Sequence, residues 1–421
     1  MPFALKEHVN FQNSEDDMRP NAEIEFFQTA VQAPVQQVYR SFTRGVGLQE
    51  WLCNGARTVP QIGGMIALWW NKGYYMVGEF TRLEPNAFVS FTWHGRGEPQ
   101  PSTVQIQLIE ENGTTRVEVT HQGLGSEEIW VEPRKEIRLG WEQGLKNLVS
   151  VLETGKDLRV VNRPGMGIYP AELSLEKIAE HGFPVNKGIF LQQVIDGLGA
   201  EKAGLLKDDL VIEIGGTAVP SIESLLHFLG RQTMGDQVKV IYYRGAEKKT
   251  ATLELKKLPI PEVPDTHQEF MSKLEEIFQN SLQFLKEAVE SVSDEAASWK
   301  PAPEEWSIKE TLAHIIHTER DNQFWLHAKI LDEDFNWLDN TKERVVATVE
   351  AYPRVEELLY EINRAQKETL AFVKNMPDSL ISRKTTFWHL AQGILTADSH
   401  TREHIDQIQQ NLRAYASLQK P

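Results

Sequence analysis

The sequence predicts a multidomain chain: an α+β unit in which an antiparallel sheet wraps one long helix, then a mostly-β unit, then an all-α four-helix bundle. Three observations predict it. The 421 residues are about three times a usual single-domain length, and 41% are apolar, enough for more than one core. A helical pattern stops at Gly155-Lys156-Asp157, and the run Pro259-Ile260-Pro261-Glu262-Val263-Pro264 resists helix and sheet alike. Across these breaks the hydrophobic period changes. Strands closed by a helix fill 1–155, short strands with one helix fill 156–260, and helical periodicity runs through 261–421.

Charge and composition exclude several functions. A net charge of −16 argues against general binding to nucleic acid or anionic membrane, because neutralising phosphates needs a surplus of Lys and Arg. Residues 261–421 hold 28 acidic against 17 basic residues, and seven of the 12 histidines. No apolar run exceeds the six residues Met65–Trp70, whereas a bilayer span needs about 18–20. The N-terminus (MPFALKEHVNFQNSEDD) has no signal-peptide apolar segment, so a cytoplasmic address is expected. The single Cys53 forbids an intrachain disulfide and a thiolate zinc cluster, leaving His, Asp or Glu to hold any metal.

In the first unit, Ile24–Val31 reads as a strand, and Ala33-Pro34 opens a helix carrying Val38, Tyr39 and Phe42 on one face. Strands follow at Met65–Trp70, Tyr74–Leu83, Ala87–Trp93, Thr103–Glu110 and Thr115–His121, with turn signals at Asn71-Lys72-Gly73, Glu84-Pro85-Asn86 and Asn112-Gly113. A closing helix, Pro133–Glu153, carries Ile137, Trp141, Leu145, Leu148 and Leu152 as a stripe that must be buried. With Leu48-x-x-Trp51, Gly63-Gly64, Thr92-Trp93 and Gly140-Trp141-x-x-x-Leu145-x-x-Leu148, this stretch resembles the START-like, SRPBCC helix-grip superfamily. The branch it matches is named for activators of the heat-shock chaperone ATPase. The resemblance implies either a small hydrophobic ligand held between sheet and helix or a protein-contact surface. Trp69, Phe80, Phe91, Trp93 and Trp141 are the expected cavity residues. Cys53 has no basic neighbour in sequence to activate it and reads as a packed hydrophobe.

In the second unit, strands are expected at Gly188–Val194, Leu210–Ile214, Gln237–Tyr243 and Lys249–Leu255, and a helix over Ser221–Gly230. The run Gly188-Ile189-Phe190-Leu191 through Ala203-Gly204-Leu205 to Val211-Ile212-x-Ile214-Gly215-Gly216 resembles a bacterial-type PDZ domain. Such domains bind a peptide or protein C-terminus by adding a strand to a sheet edge and catching the carboxylate on backbone amides. The resemblance implies that Gly165, Met166, Gly167 and Ile168 form the carboxylate loop, with Leu225 and Leu229 on the facing helix wall. The competing reading is a structural spacer whose groove is filled by the insert Ala171–Pro184.

In the third unit, Phe270–Val292, Ser307–Leu331, Val355–Met376 and Phe387–Leu418 have helical periodicity, and Ser307-Ile308-Lys309-Glu310 is a capping box. His400 and His404, four apart, share a helix face and offer two imidazoles to one ion. Trp306-Ser307-Ile308-x-Glu310-x-Leu312-x-His314-x-x-x-x-Glu319, with His400-x-x-x-His404-x-x-Gln407-Ile408, resembles the DinB superfamily of YfiT-like metalloenzymes. The resemblance implies that His314 is the third ligand of a divalent ion, with zinc or nickel suited to three nitrogens. His317 is an alternative or supporting group.

Three functional classes follow. The favoured one is a cytoplasmic adaptor that binds a hydrophobic ligand, a peptide and a metal without turnover, because no nucleophile or base adjoins the three histidines in sequence. The alternative, implied by the DinB resemblance, is a metal-dependent thiol transferase or hydrolase. A second alternative, after the first unit's family, is a chaperone-associated stress-response protein.

Overall fold

The computed structural model describes residues 22–71, 73–303, 305–333 and 341–418. The N-terminal stretch read for a signal peptide, and Lys72 of one expected turn, lie outside them. The first unit is a seven-stranded antiparallel sheet. Its strands are β1 (Ala22–Val31), β2 (Gly55–Thr58), β3 (Met65–Trp69), β4 (Tyr75–Glu84), β5 (Phe88–Gly95), β6 (Ser102–Glu111) and β7 (Thr114–Gly125), in the order β1-β7-β6-β5-β4-β3-β2. Helices α1 (Val35–Thr43) and α2 (Gly45–Gln49) follow β1, and α3 (Val131–Thr154) follows β7. The stripe Ile137, Trp141, Leu145, Leu148 and Leu152 is buried as expected, in one core with Phe42, Trp51, Phe80, Phe91 and Trp93. Cys53 is buried in that core. Gly155, at φ +80°, ends α3 in the left-handed conformation that glycine adopts freely.

The second unit contains α4 (Leu158–Val161), β8 (Pro164–Gly165), β9 (Ile168–Glu172), α5 (Leu175–His181), β10 (Ile189–Val194) and α6 (Gly199–Lys202). It continues through β11 (Leu210–Ile214), β12 (Thr217–Ala218), α7 (Ile222–Leu229), β13 (Gln237–Arg244), β14 (Glu247–Glu254) and β15 (Lys256–Lys257). The sheet runs β14-β13-β11-β10-β9, so β9 is an edge strand, with α7 packed beside it. Strand alternation gives the sheet two apolar faces. Ile189, Leu191, Val211 and Val240 face the core that includes Leu225 and Leu229 of α7, while Phe190, Leu210, Ile212 and Tyr243 face Ile178 of α5 and Phe183.

The third unit has four long helices: α8 (His267–Val289), α10 (Ile308–Leu331), α12 (Val355–Lys374) and α14 (Lys384–Leu418). Short helices α9 (Asp294–Ser298), α11 (Lys342–Ala351) and α13 (Asp378–Ile381) lie between them. Each long helix packs against two others, α8 on α12 and α14, and α10 on the same pair, which is a four-helix bundle. The predicted capping box starts α10: Ser307 N–H donates to Glu310 Oε2 at 2.8 Å and Glu310 N–H to Ser307 Oγ at 3.2 Å.

Candidate functional site

Three imidazoles meet between α10 and α14. His400 Nε2 lies 3.2 Å from His314 Nε2 and 3.1 Å from His404 Nε2, and one nitrogen of each ring lies within 4.8 Å of the others. His404 Nδ1–H donates to Gln407 Oε1 at 2.9 Å, which leaves its Nε2 as a lone pair aimed at the cluster. Trp306, just before the α10 cap, packs against two of the trio: its ring centroid is 4.7 Å from that of His314 and 6.3 Å from that of His404, at 29° to the latter. Asn411 Nδ2 holds the Trp306 carbonyl at 2.8 Å.

Burial and mutual repulsion push His314 down to about 3, and burial with the neighbouring His404 pushes His400 down to about 4. Burial lowers His404 as well. At neutral pH these rings therefore carry lone pairs rather than charge. Nitrogens set this close repel unless a ring proton or a cation lies between them. For metal–nitrogen distances of about 2.1 Å, donors 3.1–3.2 Å apart subtend an angle of about 100°, between octahedral and tetrahedral values. The donor set fits a divalent ion of zinc or nickel type. His317 is turned elsewhere, its Nε2 2.8 Å from Thr348 Oγ1 and 3.3 Å from the Arg344 carbonyl. Sequence reading assigned no site role to Trp306 or Gln407, although both stood in the motif.

At the expected carboxylate loop, Ala200 N–H donates to the Met166 carbonyl at 2.8 Å and Ile195 N–H to the Gly167 carbonyl at 2.9 Å. Because peptide planes are trans, the amides of Gly167 and Ile168 face away from the 195–200 loop. Gly167 sits at φ +84°, and a Cβ there would fall 2.3 Å from Leu198 Cβ. Leu225 and Leu229 are buried in the core at 2% and 7% exposure, so α7's accessible apolar side chain is Leu226, at 44%. The expected wall pair thus belongs to the core of this unit. The insert carrying α5 covers the opposite face of the sheet.

In the first unit, Phe80, Phe91, Trp93 and Trp141 come together: ring centroids are 6.0 Å apart for Phe80–Phe91, 6.4 Å for Phe91–Trp93 and 6.1 Å for Trp93–Trp141. Trp69 does not join them. It is 40% exposed on the outer face, because inward Ile66 and Leu68 alternate with it, and its ring lies over Gly55. Buried His121 sits beside Ser102 Oγ at 2.7 Å, the geometry of a base and its nucleophile. The proton count rules that role out. Trp141 Nε1–H donates to His121 Nδ1 at 3.2 Å, so the ring proton is on Nε2 and faces the serine, whose own hydroxyl donates to the Trp93 carbonyl at 3.1 Å.

A mixed sheet-and-helix unit, a sheet with β9 at its edge and a helical bundle with a histidine trio define a multidomain protein of the binding or adaptor class. Three stretches of the chain match family models: residues 32–153 match Activator of Hsp90 ATPase homolog 1-like protein, 164–255 the PDZ domain and 277–408 the DinB superfamily. Among curated proteins, serine protease Do-like HtrA of Lactococcus lactis subsp. cremoris (strain MG1363) is 35% identical over 117 residues, 26% of this chain and 28% of the protease. HtrA of Bacillus subtilis (strain 168) is 29% identical over 105 residues, 23% of each chain. The chain therefore spans about a quarter of the length of these relatives. Among solved structures, the Aha1 dimer from Colwellia psychrerythraea is 23% identical, covering 32% of this chain and 98% of that one, with a TM-score of 0.28. An HSP90 activator from Plasmodium falciparum is 23% identical over 31% of this chain and 96% of its own, with a TM-score of 0.27. No helix among the described residues is long and apolar enough to cross a membrane.

Proposed function

We propose that the chain is a cytoplasmic adaptor that holds one divalent ion, zinc or nickel, on His314, His400 and His404, and takes a peptide's free C-terminus between β9 and α7. The observation that carries the proposal is the convergence of three uncharged imidazoles beside Trp306, with Gln407 fixing the His404 tautomer. When bound, such an ion supplies Lewis acidity and an open coordination position. The chain's own part is to present three nitrogens and, through Trp306, to limit water around them.

The peptide reading draws support from the amides of Gly167 and Ile168, turned away from the loop that holds their carbonyls, and from an insert packed on the far face of the sheet. The name of the first unit's family favours a chaperone-type protein partner. Its aromatic side chains pack on one another, which supports contact through the surface over an enclosed hydrophobic ligand. The test is metal analysis of the wild type beside His314→Ala, His400→Ala, His404→Ala and a control at exposed His327. One ion per wild-type and control chain, with most of the affinity lost in each of the other three, is expected. Equal metal in all five, or none in a wild type supplied with zinc and nickel, would sink the proposal.

A further inference from the structure

The interior of the bundle is divided. One apolar cluster includes Leu285, Leu312, Leu358 and Ile408; the other includes Phe270 and Leu274 of α8 with Leu326, Val373 and Leu390. Between these clusters in sequence every long helix carries inward polar residues: Ser281 on α8, Glu319 and Asn322 on α10, Gln366 and Thr369 on α12, and His400 and His404 on α14. On α14 the histidines fall in this polar stretch, while on α10 His314 stands beside Leu312 of the first cluster, with Glu319 about 7.5 Å further along the helix.

The hydrogen bonds of this layer do not close. Gln366 Nε2 donates to Ser281 Oγ at 3.1 Å, and Gln323 Nε2 to the Ala365 carbonyl at 3.1 Å and to Thr369 Oγ1 at 3.2 Å. Thr369 has one proton for two acceptors, its own helix's Ala365 carbonyl at 3.2 Å and Glu319 Oε2 at 3.3 Å. Glu319 is 4% exposed and receives at most that shared proton. Asn322, at 7%, makes no side-chain hydrogen bond among the described residues. The cations near them on α10 and α11 are spent elsewhere, Arg320 on Glu361 and Arg344 on Asp321. An unpaired carboxylate in such a place holds its proton. Burial pushes Glu319 up to about 7.

We propose that this layer is a binding pocket for a small carbonyl-bearing molecule, whose oxygen accepts from the Glu319 carboxylic acid and the Asn322 amide and whose other end reaches the three histidines. Only the last clause rests on the metal reading. The two donors sit three residues apart on one helix, next to each other on its surface, and offer what a carbonyl oxygen needs. A charged carboxylate in the same layer would repel it.

The test uses the metal-free full chain at pH 6 with propionamide as the probe. The infrared difference between wild type and Glu319→Gln isolates the carboxylic-acid band of Glu319. The band is expected to shift saturably with propionamide, and Asn322→Leu to weaken that response about tenfold, the loss of one buried hydrogen bond. Should Asn322→Leu fail to fold, Asn322→Ser removes the amide with less added apolar bulk. A band that does not move with propionamide, or variants that respond as wild type does, would overturn the proposal and leave a pocket holding water only. A chain that shows the shift but takes up no metal keeps this pocket and loses only the metal reading.

Discussion

Glu319 and the histidines pull the bundle's stability in opposite directions with pH. The folded state holds His314 and His400 neutral, at about 3 and about 4, against 6.5 for the free side chain. Their contribution is present above pH 6.5 and is lost as pH falls toward those values. Glu319 is raised from 4.5 to about 7, so its contribution is full below 4.5 and is lost as pH rises through 7, a swing of about 3 kcal/mol. The metal-free chain should be most stable near pH 7, where the protons held by the unfolded histidines balance the one held by folded Glu319. Denaturant titrations should show Glu319→Gln gaining stability relative to wild type between pH 6 and pH 8. A constant difference between the two proteins would mean that Glu319 is already ionised in the fold. The histidine trio was legible because two ligands lie on one helix face and the third stands in a motif. The proton ledger of Glu319 was not, since it depends on Thr369, fifty residues away in sequence.

At the scale of elements, α14 does two jobs. Its middle turns carry His400 and His404, while its first turn docks on the end of α3. Thr385 Oγ1 donates to the Val151 carbonyl at 2.6 Å and Lys384 Nζ to the Glu153 carbonyl at 2.7 Å, so the bundle caps Glu153 and adds a second donor to Val151, which already accepts from Gly155 N–H. Gly155 allows this approach. A Cβ there would lie 2.7 Å from the Lys384 carbonyl oxygen, at a φ of +80°. Gly155→Val should therefore cost about 2–3 kcal/mol in equilibrium unfolding, and a change under about 0.5 kcal/mol, as for an ordinary surface substitution, would contradict this contact. Long, periodic elements such as α3, α10 and α14 were readable from the sequence. The four-residue β2 was not, because Gly55-Ala56-Arg57-Thr58 has no alternation to read. Trp69 could have been placed correctly from its own strand, where Ile66 and Leu68 alternate inward.

For the molecule as a whole, the break at Gly155 ends an element without freeing the units on either side. Arg40 of α1 hydrogen-bonds Glu50 at 2.7 Å and Asp332, at the end of α10, at 3.0 Å; Thr386 Oγ1 donates to the same Glu50 at 2.6 Å. We propose that 1–155, 156–260 and 261–421 are three units by core, with the first and third joined through these contacts. Such a junction is invisible to periodicity, since it ties side chains about 290 and 340 residues apart in sequence. His389 belongs to this junction too, its Nε2 3.2 Å from the Glu50 carbonyl. The proposed function gives a single chain both a metal centre and a groove for a peptide end. Native mass spectrometry of the full chain tests that claim most directly, using zinc and two peptide pools alike except that one has free C-termini and the other amidated ones. One zinc and one free-ended peptide per chain are predicted, with the amidated pool left unbound. A chain that takes up no zinc, or that holds both pools equally, would contradict it.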